Sequence, residues 1–167
     1  MDRIKCILLA DDNDNDLKLI RMALARAHPC PEVAVTHDGA EALDYLYCRE
    51  TFSTRIRRNP DVILLDLKMP LVDGLEVLRQ VKSDLELKTI PVVMLTSSSE
   101  ECDVLKSYQL GVNAYVVKPV DFKEFMEAIK ETEIFWTARN ESPPVTSADS
   151  NGLRPAHPMT PQTNEAQ

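Results

Sequence analysis

The sequence predicts a doubly wound α/β domain, in which helices cover both faces of a five-stranded parallel sheet. Short runs of Val, Ile and Leu recur without polar alternation, which is typical of strands that are buried on both faces. Segments with apolar residues at helical spacing lie between these runs, so the chain alternates strand and helix. Strands that are joined through helices run parallel and are connected by right-handed crossovers.

The first half of the chain predicts two strands and two helices. The apolar run 4–10 predicts strand one, and the Val-containing segment 32–36 predicts strand two. Leu17 begins a helical apolar repeat that reaches about residue 27, where two nearby prolines end the helix. A second helix is predicted over residues 40–47, after an Asp-Gly turn.

Residues 49–59 predict a long exposed loop. The segment is polar and basic, with four arginines and almost no apolar side chains to bury. Long loops in compact domains are often functional or mobile. We interpret the arginines as a solvated face, and docking of a partner there is the alternative.

The second half of the chain predicts three more strands and three more helices. Strands are predicted over residues 61–65, 90–95 and 114–117, each a continuous or nearly continuous apolar run. Helix three follows an Asp-Gly pair and carries apolar residues over 75–81, helix four covers 100–110, and helix five is capped by Asp121 and ends near Trp136.

Composition divides the chain into a domain and a tail. We predict one folded domain over residues 1–138 and a disordered tail over 139–167, where five of the eleven prolines lie among Ser and Thr. The net charge of −8 argues against non-specific nucleic-acid binding, which needs a basic surface. No apolar stretch is long enough for a membrane span, and the four cysteines show no metal or disulfide spacing. We therefore expect a cytoplasmic protein without nucleic-acid or membrane partners.

Polar side chains stand where four of the predicted strands end. Asp11 and Asp12 follow strand one, Asp66 follows strand three, Thr96 follows strand four and Lys118 follows strand five. The carboxyl ends of parallel strands lie along one edge of the sheet, so these residues can converge. With the strand order 2-1-3-4-5 of flavodoxin-like sheets, the crevice opens between strands one and three, where the aspartates meet.

Three neighbouring carboxylates predict a cation. Two carboxylates about 5 Å apart repel by roughly 3 kcal/mol at an effective dielectric constant of about 20, and one lysine cannot neutralise three of them. Oxygen ligands with room for water and phosphate suit Mg²⁺, or Mn²⁺, better than zinc. With the charge neutralised, Asp66 is a candidate nucleophile for phosphoryl transfer, and Thr96 and Lys118 can hold the phosphoryl oxygens.

Over roughly residues 5–136, the chain resembles the receiver domain of two-component response regulators, which has a CheY-like fold. The resemblance rests on motifs that occur in order at the strand ends, namely Asp11-Asp12, Asp66-Leu67-Lys68-Met69-Pro70 with Asp73-Gly74 behind it, Thr96-Ser97, and Tyr115 followed by Lys118-Pro119. It implies that Asp66 is phosphorylated, and that Asp11, Asp12, Asp66 and the backbone carbonyl of Lys68 hold Mg²⁺. It further implies that Thr96 and Lys118 bind the phosphoryl group and that Thr96 and Tyr115 form the switch.

This resemblance also implies partners. The phosphodonor would be a sensor histidine kinase, and the output would be a phosphorylation-dependent contact with another protein. The long basic loop and the aromatic end of helix five, Ile134-Phe135-Trp136, look like those of stand-alone response regulators that partner bacterial phytochromes. We expect this aromatic end to contribute to a homodimer, and packing within the domain is the alternative.

Three other functions remain as alternatives. A phosphatase of the haloacid-dehalogenase type also uses an aspartate at a strand end, but it needs a second acid two residues later, where this chain has Lys68. A flavodoxin-like cofactor binder would need a Ser/Thr/Gly-rich phosphate loop after strand one, where this chain has aspartates. A DNA-binding regulator would need a further domain after Trp136, where only about thirty residues follow. We therefore expect a signalling protein, not an enzyme, whose chemistry is limited to its own phosphorylation and dephosphorylation.

Overall fold

Five strands and five α-helices alternate in the computed structural model, which describes residues 5–27 and 30–143. The strands are β1 (Cys6–Ala10), β2 (Glu32–Thr36), β3 (Val62–Leu65), β4 (Val92–Thr96) and β5 (Ala114–Val117). The helices are α1 (Asp14–Leu24), α2 (Gly39–Tyr47), α3 (Gly74–Ser83), α4 (Glu101–Gln109) and α5 (Phe122–Ile134). A 3₁₀ turn, Glu50–Phe52, follows α2, and a π-helical turn, Phe135–Arg139, continues α5.

The five strands form one parallel sheet in the order β2-β1-β3-β4-β5, which confirms the expected order. Side chains of β1 alternate between its two faces, because successive residues of a strand point in opposite directions. Leu8 packs in a core beneath α2 and α3, whereas Ile7 and Leu9 pack in a second core with α1 and α5. The strand β3 is fully buried, so both faces of the sheet are covered at the centre, as its apolar run predicts.

The predicted strands and helices agree with the structure except near some ends. Strand one begins at Cys6, and the predicted position Ile4 lies outside the described residues. Helix α1 ends at Leu24, three residues before the predicted end, and Ala27 closes a tighter turn by donating to the Leu24 carbonyl. The last helix extends beyond the predicted end at Trp136, because the π-helical turn carries the chain to Arg139.

Arg55 of the basic loop packs against the domain, so the interpretation of the arginines as a solvated face is wrong for this residue. The guanidinium of Arg55 lies 3.9 Å from the centre of the Tyr45 ring, and its Nη2 donates to the Tyr45 carbonyl at 2.9 Å. Phe52 meets the edge of the same ring at a centroid distance of 5.3 Å. Arg57 forms an exposed ion pair with Glu86. A guanidinium stacks readily on an aromatic ring, and a count of charges along the sequence does not detect this contact.

The last described residues return to the amino edge of the sheet. The Ser142 hydroxyl donates to Oδ1 of the buried Asp61 at 3.0 Å, and the Lys5 ammonium donates to Ser142 at 3.0 Å. The packed chain therefore reaches at least Ser142, whereas residues 144–167 of the predicted tail lie outside the described residues. Among the helices that the structure describes, none has the length and apolarity of a membrane span.

Candidate functional site

The carboxyl ends of four strands place the predicted site residues along one edge of the sheet. Backbone hydrogen bonds extend the sheet one residue beyond the strands: the Asp66 amide donates to the Ala10 carbonyl at 2.8 Å, and the Lys118 amide donates to the Thr96 carbonyl at 2.8 Å. Asp11 is held in the same way by the Thr36 carbonyl at 3.1 Å. The side chains of the site are thus positioned by the backbone of the sheet.

Three carboxylates form the floor of this site. One carboxylate oxygen from each of Asp11, Asp12 and Asp66 lies within 4.8 Å of the other two. Asp11 and Asp66 are buried, whereas Asp12 is exposed. Such spacing costs roughly 3 kcal/mol for each pair of charges before the contribution of Lys118. The structure therefore brings together the three acidic side chains that the sequence predicts.

Lys118 is the cation of the site. Its ammonium lies 2.6 Å from Asp11 Oδ2, 2.8 Å from Asp16 Oδ2 and 3.5 Å from Asp66 Oδ1. Burial by itself lowers the pKa of Lys118, but the hydrogen bonds with Asp11 and Asp16 outweigh this effect, so the pKa is raised. Lys118 therefore stays charged and is shared among three carboxylates.

Burial dominates the ionisation of the two inner carboxylates. It raises the pKa of Asp66 above its ordinary value, although Lys118, the Thr96 hydroxyl and the Leu67 amide favour the charged form. The pKa of Asp11 is raised for the same reason, against the opposing effect of Lys118. A single lysine does not compensate for the loss of solvent around both carboxylates.

Thr96 and Tyr115 are connected through Ser98. Thr96 is buried, and its hydroxyl oxygen accepts the Ser98 amide at 3.2 Å. The Tyr115 hydroxyl donates to the Ser98 carbonyl at 2.9 Å, and the Ser98 hydroxyl donates to Asp103 of α4 at 2.6 Å. The two predicted switch residues therefore contact one short connection between β4 and α4.

The residues present fit a hard divalent cation. The donor set consists of three carboxylates, of which Asp11 and Asp66 are buried and Asp12 is exposed to solvent, and such ligands suit Mg²⁺ and Mn²⁺. The Lys68 carbonyl belongs to the loop that follows Asp66, and its role as a ligand stays a prediction. The side chain of Lys68 reaches across to Glu100, 3.8 Å away, with both groups exposed.

Two acidic residues of this region were not predicted from the sequence as site residues. Asp16 contacts Lys118 from the first turn of α1, and Asp103 holds the Ser98 hydroxyl from the first turn of α4. Each lies near a helix N-terminus, where an aspartate is common for reasons of capping and helix dipole alone. In the sequence, Asp16 lies five residues after Asp11. This spacing indicates a contact with Lys118 only when the direction of α1 is known.

Comparison with known proteins identifies the family that the chain matches. Residues 7–130 match the response regulator receiver domain family. The response regulator Rcp1 of Synechocystis sp. is 38% identical over 132 residues, which cover 79% of this chain and 88% of Rcp1. The crystal structure of its Mn²⁺-bound form superimposes with a TM-score of 0.79 at 36% identity, covering 84% of this chain and 99% of that chain.

Two further solved structures are similar to this chain. The phosphorylated cyanobacterial phytochrome response regulator RcpA has a TM-score of 0.81 and 41% identity, covering 85% of this chain and all (100%) of that chain. The bacteriophytochrome response regulator RtBRR has a TM-score of 0.68 and 58% identity, covering 85% of this chain and 86% of that chain.

Proposed function

Because this chain belongs to the response regulator receiver domain family, we propose that Asp66 is its phosphoacceptor and that a sensor histidine kinase is its phosphodonor. Receiver domains are signalling proteins with the CheY-like fold, and this chain has that fold. The observation that carries the proposal is the convergence of Thr96 and Lys118 on the carboxylate of Asp66, beside a pair of further aspartates.

The proposed reaction transfers a phosphoryl group from a kinase histidine to Asp66. A carboxylate oxygen of Asp66 forms a bond to phosphorus while the bond from phosphorus to the histidine nitrogen breaks, and the nitrogen keeps the electron pair. Lys118 and the Thr96 hydroxyl bind phosphoryl oxygens, which is mainly a positioning and charge-stabilising role. When Mg²⁺ or Mn²⁺ is bound by Asp11, Asp12, Asp66 and the Lys68 carbonyl, it supplies neutralisation of the opposing negative charges.

Labelling with acetyl phosphate in the presence of Mg²⁺ tests the phosphoacceptor. We expect the wild type to gain one phosphate that is labile to hydroxylamine, as an acyl phosphate is, and Asp66→Asn to gain none. Asp73→Asn is the matched control, because it makes the same change at an exposed helix N-cap where asparagine caps as well as aspartate. Labelling of Asp66→Asn at the wild-type level would contradict the assignment.

A turnover assay separates signalling from phosphatase activity. A phosphatase of the haloacid-dehalogenase type would turn over a generic phosphomonoester steadily, whereas a receiver domain catalyses only its own phosphorylation and dephosphorylation. Lys68 occupies the position where the phosphatase needs its second acid, and its ammonium pairs with Glu100. We expect no steady turnover of p-nitrophenyl phosphate, and sustained turnover would favour the phosphatase.

We propose that the kinase is a bacterial phytochrome. The support is similarity to proteins described as phytochrome or bacteriophytochrome response regulators, among them RtBRR at 58% identity. Such a kinase would deliver phosphate in the cytoplasm. The four free cysteines of the chain agree with this compartment, because thiols stay reduced there. The test is phosphotransfer from a purified bacteriophytochrome kinase under red and far-red light. Transfer that does not depend on light, or that is no faster than from an unrelated kinase, would contradict this partner.

We propose that the output is a contact with another protein, governed by Thr96 and Tyr115. The supporting observation is their shared contact with Ser98: if the Thr96 side chain moves to reach a phosphoryl oxygen, the Ser98 amide that it accepts moves with it. The connection to α4 can then change position. Tyr115→Phe tests this, since it removes one hydroxyl. We expect normal phosphorylation with a weaker phosphorylation-induced change of α4 in hydrogen exchange.

We also propose that the chain forms homodimers through the end of α5. Phe135 is 52% exposed and Ile134 is 37% exposed, whereas Trp136 packs partly against the second core and is less available for a partner. Phe135→Ser is expected to shift sedimentation velocity profiles toward the monomer. Leu85→Ser, at a side chain that is 80% exposed elsewhere, is the matched control. An unchanged profile for Phe135→Ser would contradict this interface.

A further inference from the structure

Asp16 lies beside Lys118 but has no place among the residues expected to bind metal or phosphate. Its Oδ2 atom accepts a hydrogen bond from the Lys118 ammonium at 2.8 Å, nearly as short as the 2.6 Å bond to Asp11. The distance from the ammonium to Asp66 is longer, at 3.5 Å. Lys118 is therefore held mainly by Asp11 and Asp16, and only weakly by the proposed phosphoacceptor.

The start of α1 holds Asp16 in this position. Asn13 caps the helix, and its side chain accepts the backbone amides of Asn15 and Asp16. The positive end of the helix dipole favours a carboxylate in the first turn. The Asp16 side chain is 26% exposed, compared with 9% for Lys118, so it approaches the lysine from the solvent side.

A metal ion and Lys118 compete for Asp11. Both oxygens of Asp11 already have a partner, because Oδ2 contacts Lys118 at 2.6 Å and Oδ1 accepts the Asn13 amide at 2.9 Å. A metal ion bound to this carboxylate would draw negative charge away from Lys118 and so weaken the ion pair. A buried ammonium without a partner is costly. Asp16 is outside the metal-binding set and can keep Lys118 paired while Asp11 turns to the metal. In this way Asp16 would raise the affinity of the site for Mg²⁺ without contacting the ion.

A phosphoryl group on Asp66 and Asp16 compete for Lys118. To bind a phosphoryl oxygen, the ammonium must move toward Asp66, from which it is now 3.5 Å away, and give up part of its contact with Asp16. A phosphoryl oxygen bound to Lys118 would also be repelled by the negative charge of Asp16, which contacts the same ammonium at 2.8 Å. Asp16 therefore acts in opposite directions on the two ligands of the site.

We propose that Asp16 is a positioning residue for Lys118, favouring Mg²⁺ binding and opposing phosphoryl binding. The inference rests on the proposed function, since it assumes a receiver site that takes both ligands. It assigns Asp16 no contact with either ligand. Asp16 affects both ligands only through the ammonium of Lys118, which it shares with Asp11.

The test measures two affinities on the same Asp16→Asn variant. Mg²⁺ binding is followed by titration calorimetry, and binding of beryllium trifluoride, a mimic of the phosphoryl group, is followed by fluorine NMR at saturating Mg²⁺. We expect Mg²⁺ affinity to fall by about three- to tenfold and beryllium trifluoride affinity to rise by about threefold, the scale of one partly buried ion pair. A general structural defect would weaken both.

Two further variants complete the experiment. Asp14→Asn removes the same charge from the same helical turn at an exposed side chain, so it controls for net charge and helix dipole. Asp16→Glu keeps the carboxylate and is expected to restore part of both effects. Affinities that change in the same direction, that do not change, or that change equally in Asp14→Asn would overturn the inference. If wild-type protein fails to bind beryllium trifluoride in Mg²⁺, the proposed function itself is overturned, and the inference with it.

Discussion

At the scale of single residues, the energetics of the site follow from two carboxylates that are almost closed off from solvent. Burial raises the pKa of both Asp66 and Asp11, and Lys118 offsets only part of this effect. Without a bound metal, the domain therefore holds unfavourable negative charge at the proposed site. Residues that are optimal for chemistry often reduce stability in this way.

Removal of one charge should therefore stabilise the metal-free protein. We expect Asp66→Asn to increase the free energy of unfolding by about 1–2 kcal/mol without Mg²⁺, which raises the melting temperature by several degrees. With Mg²⁺ the difference should shrink, because only the wild type keeps the full binding site and gains stability by mass action. Thermal unfolding with and without Mg²⁺ measures both effects. A melting temperature of Asp66→Asn below that of the wild type in metal-free buffer would contradict the prediction.

The dependence of metal binding on pH follows from the same pKa shifts. A carboxyl group whose folded pKa is raised contributes stability that is present below its unfolded pKa and is lost as the pH rises through the folded pKa. Protons and Mg²⁺ compete for the oxygens of Asp66 and Asp11. We expect the increase in melting temperature caused by Mg²⁺ to become smaller as the pH is lowered from about 7.5 to about 4.5. An increase that is constant across this range would show that these carboxylates titrate outside it.

At the scale of elements, the connection between β3 and α3 depends on close backbone contact. The amide of Gly74, the first residue of α3, donates to the Leu67 carbonyl at 2.8 Å. A Cβ atom at Gly74 would collide with the backbone carbonyl oxygen of Asp66. Only glycine permits the helix to begin this close to the strand.

Gly74→Ala should consequently disturb the site as well as the fold. We expect a loss of about 1–3 kcal/mol in unfolding free energy, because the backbone cannot move aside cheaply, together with weaker Mg²⁺ binding. Gly111→Ala is the control: its φ of +91° makes a side chain unfavourable, but its Cβ would meet only the Lys82 side chain, at 3.6 Å. Equal Mg²⁺ affinities for Gly74→Ala and the wild type, measured by calorimetry, would contradict this prediction.

The helix α4 differs from the other helices in what it buries. Its buried residues are Asp103 and Ser107, whereas Leu105 and Tyr108 are 59% and 55% exposed. Hydrogen bonds to Ser98 and within the helix satisfy the buried polar groups. A helix that contributes little to the apolar core can move at a low cost in free energy. This property suits α4, because α4 follows the connection from Thr96 that we propose to change position on phosphorylation.

At the scale of the whole molecule, the sheet accounts for most of what the sequence could predict. Five apolar runs and the helices between them specify a parallel sheet, and polar residues at the strand ends must then share one edge. Asp11, Asp66, Thr96 and Lys118 are brought together for that reason. The strand order came from resemblance to a known fold, since periodicity alone does not distinguish neighbouring strands.

What the sequence could not predict depends on side-chain direction. The contact of Asp16 with Lys118 needs the orientation of α1 relative to β5, which no local pattern contains. Arg55 looks solvated by composition, yet it packs on Tyr45. The anchoring of Ser142 on Asp61 joins residues that are far apart in sequence. These contacts join separate segments through polar side chains, and such contacts leave no periodic signal.

Asp61 should be important for stability and unimportant for chemistry. Its buried carboxylate accepts the Cys6 amide at 2.8 Å and the Ser142 hydroxyl at 3.0 Å, and it lies 3.7 Å from the Lys5 ammonium. We expect Asp61→Ala to cost about 2–4 kcal/mol of unfolding free energy, because buried partners lose their acceptor. Labelling by acetyl phosphate at a temperature where the variant is folded should proceed at the wild-type rate. A slower labelling rate in the folded variant would contradict this prediction. It would show that Asp61, at one end of β3, affects the chemistry of Asp66 at the other end.

The position of Ser142 beside Lys5 has a consequence for how this domain can be joined to other proteins. Both ends of the described chain leave from the amino edge of the sheet, and Asp66 lies at the opposite edge, about 16 Å along the central strand from Asp61. A segment joined directly at residue 5 or residue 142 would therefore start at the edge of the sheet opposite to Asp66, the proposed phosphoacceptor. The described domain is therefore suited to fusion with other proteins at these positions, and to circular permutation through a short linker from residue 142 to residue 5.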